Sequence, residues 1–307
     1  MLPTRQGSIR LFRLAGIDLF LHWSWFLVAL YQIQQRAKAY PSLVWPTLEY
    51  LALFGIVLMH EFGHALACRS VGGQSNQIVL WPLGGVAYVA PPPRPGATLW
   101  SITAGPLVNV VLAPIFTLVM MAASWLGWDE AFPPLYKLVQ TVWGINLILL
   151  CFNLLPIYPL DGGKILWALL WFVIGRARSL MVATIIGFIG VAALIGVAIM
   201  SRSFWFGILS VFALLNCWNG LMQARVLARI AKLPRRSGFA CPECQQSPPL
   251  GPFWRCDKCL RPFDPFETGA VCPHCGTSVG VARCIDCGKV NPMSEWIFPR
   301  ITAPPKI

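Results

Sequence analysis

Charge is scarce in this chain. Of 307 residues, only 12% are Asp, Glu, Lys or Arg, against 56% hydrophobic. So little charge points to a polytopic membrane protein rather than a soluble domain of this length. Acidic residues thin out further, with no Asp or Glu between 62 and 128, and histidine occurs four times in all. The net charge of +12 has no basic run behind it: residues 1–240 carry +11 and residues 241–307 only +1. A nucleic-acid-binding tail is therefore disfavoured, and the basic excess belongs to the flanks of membrane segments.

What the chain does have is long apolar runs. The composition predicts an all-α polytopic membrane protein of about six transmembrane helices. They fall at roughly 15–34, 47–69, 98–127, 134–157, 180–200 and 204–224, each near the ~20 residues a spanning helix needs. Residues 164–176 read as a short interfacial helix or an extension of the fourth segment. Asp18 and His22 interrupt the first segment, whose basic start and "AKA" at 37–39 also fit a signal peptide. The outside loops would carry only Arg36, Lys38, Lys137 and Arg202, with the other Lys and Arg of this part inside. That bias puts both termini, and with them the cysteine-rich tail, in the cytoplasm. Between the second and third segments, "QIVLWPLGGVAYV" reads as two short strands around Pro82, Gly84 and Gly85. Such a membrane-edge hairpin is tolerated only where protein or a water-filled cavity satisfies its backbone.

The second segment contains "MHEFGHALA" at 59–67. Ionisable groups in hydrocarbon are costly, so these are functional candidates. On a helix, His60 and His64 share a face and can turn nitrogen to one ion, with Glu61 beside it as general base. A catalytic zinc needs a third protein ligand. Position 70 is serine rather than a third histidine, and no nearby downstream acid exists. His22 is the remaining histidine of the membrane part; Asp129 and Glu130 lie in the opposite loop, and Asp18 and Glu49 near segment ends. Asp161 remains, in the broken-helix stretch "NLLPIYPLDGG". The expected ligands are His60, His64 and Asp161.

The pair "HEFGH" and "NLLPIYPLDGG" resembles the site-2 protease family of intramembrane zinc metalloproteases. "AGPLVN" at 104–109 is similar to that family's G-P-x-x-N motif, and "LWPLGG" followed by "VAYV" to its hairpin. The layout resembles the shorter bacterial branch, without a PDZ-like insertion. The resemblance implies an enzyme that cleaves transmembrane segments of single-pass membrane proteins within the lipid bilayer, after a first cut elsewhere. It also implies one catalytic zinc held by His60, His64 and Asp161, with Glu61 as the base. Asn109 and Asn153 are candidates for holding substrate or the developing oxyanion, with helix-to-helix hydrogen bonding as the alternative. Gly84 and Gly85 lie in a hairpin that could pair with an unwound substrate strand, or simply dip into the membrane.

Cysteine is concentrated in a tail. Eight of eleven lie in four C-x-x-C pairs between 241 and 287. They read as a small β-rich double zinc ribbon holding two structural zincs, since such ribbons fold around metal. Sequential pairing is expected, with Cys241, Cys244, Cys256 and Cys259 on one zinc and Cys272, Cys275, Cys284 and Cys287 on the other. An interleaved arrangement stays open. The chain divides into a membrane domain at 1–233, a linker at 234–240, the ribbons at 241–290 and a disordered tail at 291–307. Near-neutral charge suits a protein partner for the ribbons, a substrate's cytosolic part or the protease's own mouth. A reading of another class is a catalytically silent membrane scaffold that recruits proteins through the ribbons; two zincs per chain instead of three would favour it.

Overall fold

The computed structural model describes residues 7–81 and 84–296. Strands β1 (Ser8–Leu14) and β2 (Ile17–His22) form a hairpin and lead into helix α1 (Ser24–Ala37). Helix α2 (Val44–Ser70) and the hairpin β3 (Gln74–Trp81) and β4 (Gly84–Ala90) follow. Helices α3 (Pro95–Trp125), α4 (Trp128–Ala131), α5 (Pro133–Asn153), α6 (Asp161–Ile174), α7 (Arg176–Ser201) and α8 (Phe204–Ala231) complete the membrane part. Among the described residues five helices, α2, α3, α5, α7 and α8, are long and apolar enough to cross a bilayer. The protein is an integral membrane protein.

The expected first spanning helix is corrected. Residues 15–34 divide into a turn, β2 and α1, and α1 has 14 residues, about 21 Å of helix against the ~30 Å of a hydrocarbon core. Alternation decides the strand: in "IDLFLH", Ile17, Leu19 and Leu21 are buried, the period of two that a half-buried strand requires. Asp18, on the other face, pairs with Arg10 of β1 at 2.6 Å.

The hairpin expected near residue 80 is half of a four-stranded sheet ordered β1-β2-β3-β4. β2 and β3 run parallel, joined through α1 and α2, and β3 and β4 are antiparallel with Leu80 opposite Gly85 and Trp81 opposite Gly84. β4 is thus an edge strand. Ile17, Leu19, Leu21, Trp25, Tyr50, Val57, Ala65, Ile78 and Leu80 form the core between the sheet and α1–α2. A second cluster gathers Ile157, Val191, Leu194, Ala213 and Cys217 between α7 and α8 and the residues before α6. His22 is packed: its ring stacks on Trp81 at 4.3 Å and its Nδ1 meets Ser24 Oγ at 2.5 Å.

The tail holds two small hairpins, β5 (Trp254–Arg255) with β6 (Pro262–Phe263) and β7 (Val281–Arg283) with β8 (Val290–Pro292). A disordered tail from 291 is corrected in part. Residues up to 296 belong to β8 and a 3-10 turn (Met293–Trp296), and Trp296 is buried among Trp254, Phe263 and Phe266. The remaining expectation, for 297–307, lies outside the described residues. The linker at 234–240 is tied down as well: Arg236 pairs with Asp264 at 2.7 Å and Arg235 with Asp286 at 2.6 Å.

Candidate metal centre

His60 and His64 project from one face of α2, and Asp161 is the first residue of α6. Their donor atoms converge. His60 Nε2 lies 3.0 Å and His64 Nε2 3.2 Å from Asp161 Oδ2, and the two Nε2 atoms are 3.2 Å apart. All three residues are buried. The far side of each imidazole is already committed. His60 Nδ1 is 2.7 Å from Asn109 Oδ1, and His64 Nδ1 is 2.9 Å from the Ser101 carbonyl. Both of those partners are acceptors, so each Nδ1 carries the proton and each Nε2 presents a lone pair. Two lone pairs and a carboxylate oxygen facing one another need a cation between them. Donors at about 2.0–2.1 Å from a tetrahedral zinc stand roughly 3.3 Å apart, close to the spacing here. The donor set fits zinc.

The surroundings hold this triangle in place. Asn109 is fully buried, and its Nδ2 donates to Asn146 Oδ1 at 2.8 Å while Asn146 Nδ2 donates to the Asn109 carbonyl at 3.0 Å. Asp161 Oδ1 faces Lys164 Nζ at 3.6 Å. A Cβ at Gly105 of α3 would stand 2.2 Å from His64 Nε2 and 2.8 Å from His60 Nε2, so only glycine lets α3 pass this close. Glu61 is buried beside the triangle, and its Oε2 accepts the backbone N–H of Ala87 on β4 at 2.9 Å.

Of the sequence candidates, His60, His64, Glu61 and Asp161 lie together. Asn109 joins them as a hydrogen-bonding partner of His60 and, across helices, of Asn146. Asn153 ends α5, half-buried, and makes no hydrogen bond to the histidines or Asp161. Gly85 abuts Glu61, where a Cβ would lie 2.3 Å from Glu61 Cγ, and Gly84 pairs back on β3. Gly105, Asn146, Lys164 and Ser101 were missed. Asn146, an amide inside an apolar run, carried a readable signal; the Ser101 contact, made by a backbone carbonyl, carried none.

In the tail the sequential cysteine pairing is corrected. The structure groups Cys241, Cys244, Cys284 and Cys287 in one cluster and Cys256, Cys259, Cys272 and Cys275 in the other. The cause is the fold of the two segments that join these pairs. Residues 260–271 turn back at once, with Asp264 accepting from the Phe266 N–H, so the second and third pairs face each other. Residues 245–255 instead cross to the inner cluster, and the first pair is left for the fourth. Sulfur separations are 3.8 and 3.7 Å in the outer cluster and 3.6 Å in the inner one. Four thiolates at about 2.3 Å from a tetrahedral zinc stand about 3.8 Å apart, so both clusters could hold one.

Residues 49–143 and 130–197 match the sequence profile of Peptidase family M50. The zinc metalloprotease MJ0392 of Methanocaldococcus jannaschii is 34% identical over 180 residues, which is 59% of this chain and 50% of that protein. YwhC of Bacillus subtilis is 32% identical over 43% of this chain and 72% of its own length. The solved structure of a site-2 protease from M. jannaschii superposes with a TM-score of 0.51 at 28% identity, covering 70% of this chain and 95% of that one. The chain belongs to Peptidase family M50, the site-2 protease family of zinc metalloproteases. It spans about half the length of MJ0392.

Proposed function

We propose that this chain is an intramembrane zinc endopeptidase that cleaves transmembrane segments of single-pass membrane proteins. The observation that carries the reading is the convergence of two oriented Nε2 lone pairs and one carboxylate oxygen, beside a buried Glu61, inside a bundle of spanning helices. His60, His64 and Asp161 would hold one zinc, which would supply Lewis acidity to bring a water's pKa toward neutrality and to polarise a carbonyl. Glu61 takes the water's proton and delivers it to the leaving amine. Asn109 and the Ser101 carbonyl keep both imidazoles in the tautomer that offers Nε2. A substrate helix hides its peptide bonds and must be extended first. The free edge of β4, running past Glu61, suits strand addition by that extended segment. Two further zincs in the cysteine clusters would be structural, and both termini would lie in the cytoplasm, on the inner membrane.

The test is Glu61→Gln, which keeps shape and hydrogen bonding but removes the base. Membrane proteins of cells carrying the variant are compared with wild type, and single-pass fragments should accumulate in the variant. Identical membrane proteomes and turnover in the two would overturn the reading.

A further inference from the structure

Asp161 is delivered to the histidines by residues 154–160, a stretch with no regular secondary structure. Its support comes from α7 and α8, neither of which contributes a donor to the metal centre. Ile157 is buried against Val191, Leu194, Ala213 and Cys217, with Tyr158, Leu160 and Phe188 packed around them. The Cys217 thiol of α8 donates to the Tyr158 carbonyl at 2.8 Å. Three glycines open the space. A Cβ at Gly187 would stand 2.8 Å from Cys217 Sγ and 3.1 Å from the Tyr158 nitrogen. At Gly190 it would stand 2.3 Å from Ile157 Cγ1, and at Gly220 2.9 Å from Tyr158 Cε1. On the opposite side, added Cβ atoms at Gly162 and Gly163 would strike the backbone of Leu154, Leu155, Ile157 and Tyr158 at 2.3 to 2.8 Å. The stretch is therefore clamped between the first turn of α6 and a socket in α7–α8.

We propose that Gly187, Gly190, Cys217 and Gly220 are positioning residues for Asp161. They seat Ile157 and Tyr158, and the three peptide units from Tyr158 to Asp161 carry that placement to Oδ2. The inference rests on His60, His64 and Asp161 holding zinc. Metal ligation tolerates about 0.2 Å, so a displaced Ile157 is felt at the metal while the histidines keep their own partners. Dense packing transmits such a shift.

The experiment uses the full chain purified in detergent, with zinc per chain, zinc affinity by chelator competition, and kcat and KM on a fragment trapped by Glu61→Gln. Gly190→Ala drives a methyl into Ile157; Gly190→Ala with Ile157→Ala returns the space. Gly190→Ala should weaken zinc at the histidine site about tenfold or more, lower kcat with KM little changed, and leave the tail zincs in place in a chain that still folds. The double variant should recover most of the zinc affinity. Cys217→Val, which loses the donor, should act in the same direction, and Cys217→Ser, which keeps one, should rescue it. A folded Gly190→Ala with wild-type zinc affinity and kcat would overturn the proposal, as would a folded double variant with no recovery. If Gly190→Ala does not fold, the Cys217 pair decides: equal zinc affinity in Val and Ser overturns it. A wild-type chain that holds no zinc at the histidine site would instead defeat the functional reading itself.

Discussion

Gly105 and Asn109 lie one turn apart on α3 and do opposite things for the same pair of histidines. Gly105 makes room, and Asn109 fills a hydrogen-bond demand. Gly105→Ala forces a methyl within 2.2 Å of His64 Nε2, closer than any real contact, so the variant should lose the zinc held by the histidines and all activity. Zinc analysis that finds an undiminished metal content would refute this. Asn109→Ala is milder. It strips the acceptor from His60 Nδ1 and the donor from Asn146 Oδ1, but Asn146 keeps the backbone carbonyl of residue 109 and the three ligands remain. Loss of such an outer partner costs about 10–100-fold in metal affinity or activity, measurable by chelator competition. Both residues sit in the one stretch, "AGPLVN", that drew attention by resemblance. What the stretch does could not be read from its letters. Gly105 follows His60 and His64 by 45 and 41 residues in sequence, and only the crossing of α2 and α3 makes the glycine necessary. His60, Glu61 and Asp161 were legible for the converse reason: a costly group in an apolar run advertises itself, and the lack of acids between 62 and 128 left few alternatives.

At the level of elements, β4 has the most to do with its neighbours. One edge pairs with β3, and on the other the Ala87 N–H reaches Glu61. Backbone donors on one edge of a strand recur every second residue, so the Val89 N–H points to the same free edge. Val89→Pro removes that donor, and proline is tolerated where a strand edge is unpaired. Zinc content should stay at the wild-type level while cleavage of a transmembrane substrate falls about tenfold, the loss of roughly one net hydrogen bond in the extended complex. Undiminished cleavage by Val89→Pro would remove strand addition at this edge from the mechanism. The sheet to which β4 belongs was only half legible. "QIVLWPLGGVAYV" declared a hairpin through its proline and its two glycines, whereas "IDLFLH" was absorbed into an apolar run of helical length. Its alternation is only six residues long, and the partner that makes it a strand, β3, arrives more than fifty residues later. The ribbon pairing was hidden for a similar reason. Spacings of eleven and eight residues between C-x-x-C pairs allow sequential or nested closure, and the turn at Asp264 decides.

The molecule as a whole is held together across its two parts by Asp286. Its carboxylate takes both terminal nitrogens of Arg235, at 2.6 and 3.0 Å, and its backbone carbonyl accepts from Arg176 Nη1 at 2.7 Å. The carboxylate raises the pKa of the Arg235 guanidinium by that hydrogen bonding, so Arg235 remains charged throughout the accessible pH range. Arg176 is the first residue of α7, and its guanidinium lies 5.3 Å from the Trp171 ring near the end of α6, the helix that begins with Asp161. The ribbon thus docks at the far end of the helix that carries the third metal ligand. Asp286→Ala removes the carboxylate but leaves the cysteines and the carbonyl. The pair is three-quarters or more buried, and a charge-assisted hydrogen bond is worth about 1.5–3 kcal/mol. The variant should therefore keep its cysteine-bound zincs, while backbone amides of residues 171–180 and 232–240 exchange with solvent at least about tenfold faster. If the cysteine clusters hold zinc as proposed, stripping it with a chelator should produce the same acceleration without any mutation, because small four-cysteine ribbons fold around their metal and Asp286 lies between Cys284 and Cys287. Exchange unchanged by either treatment would mean that the tail is held by other contacts and that Asp286 is not the clasp.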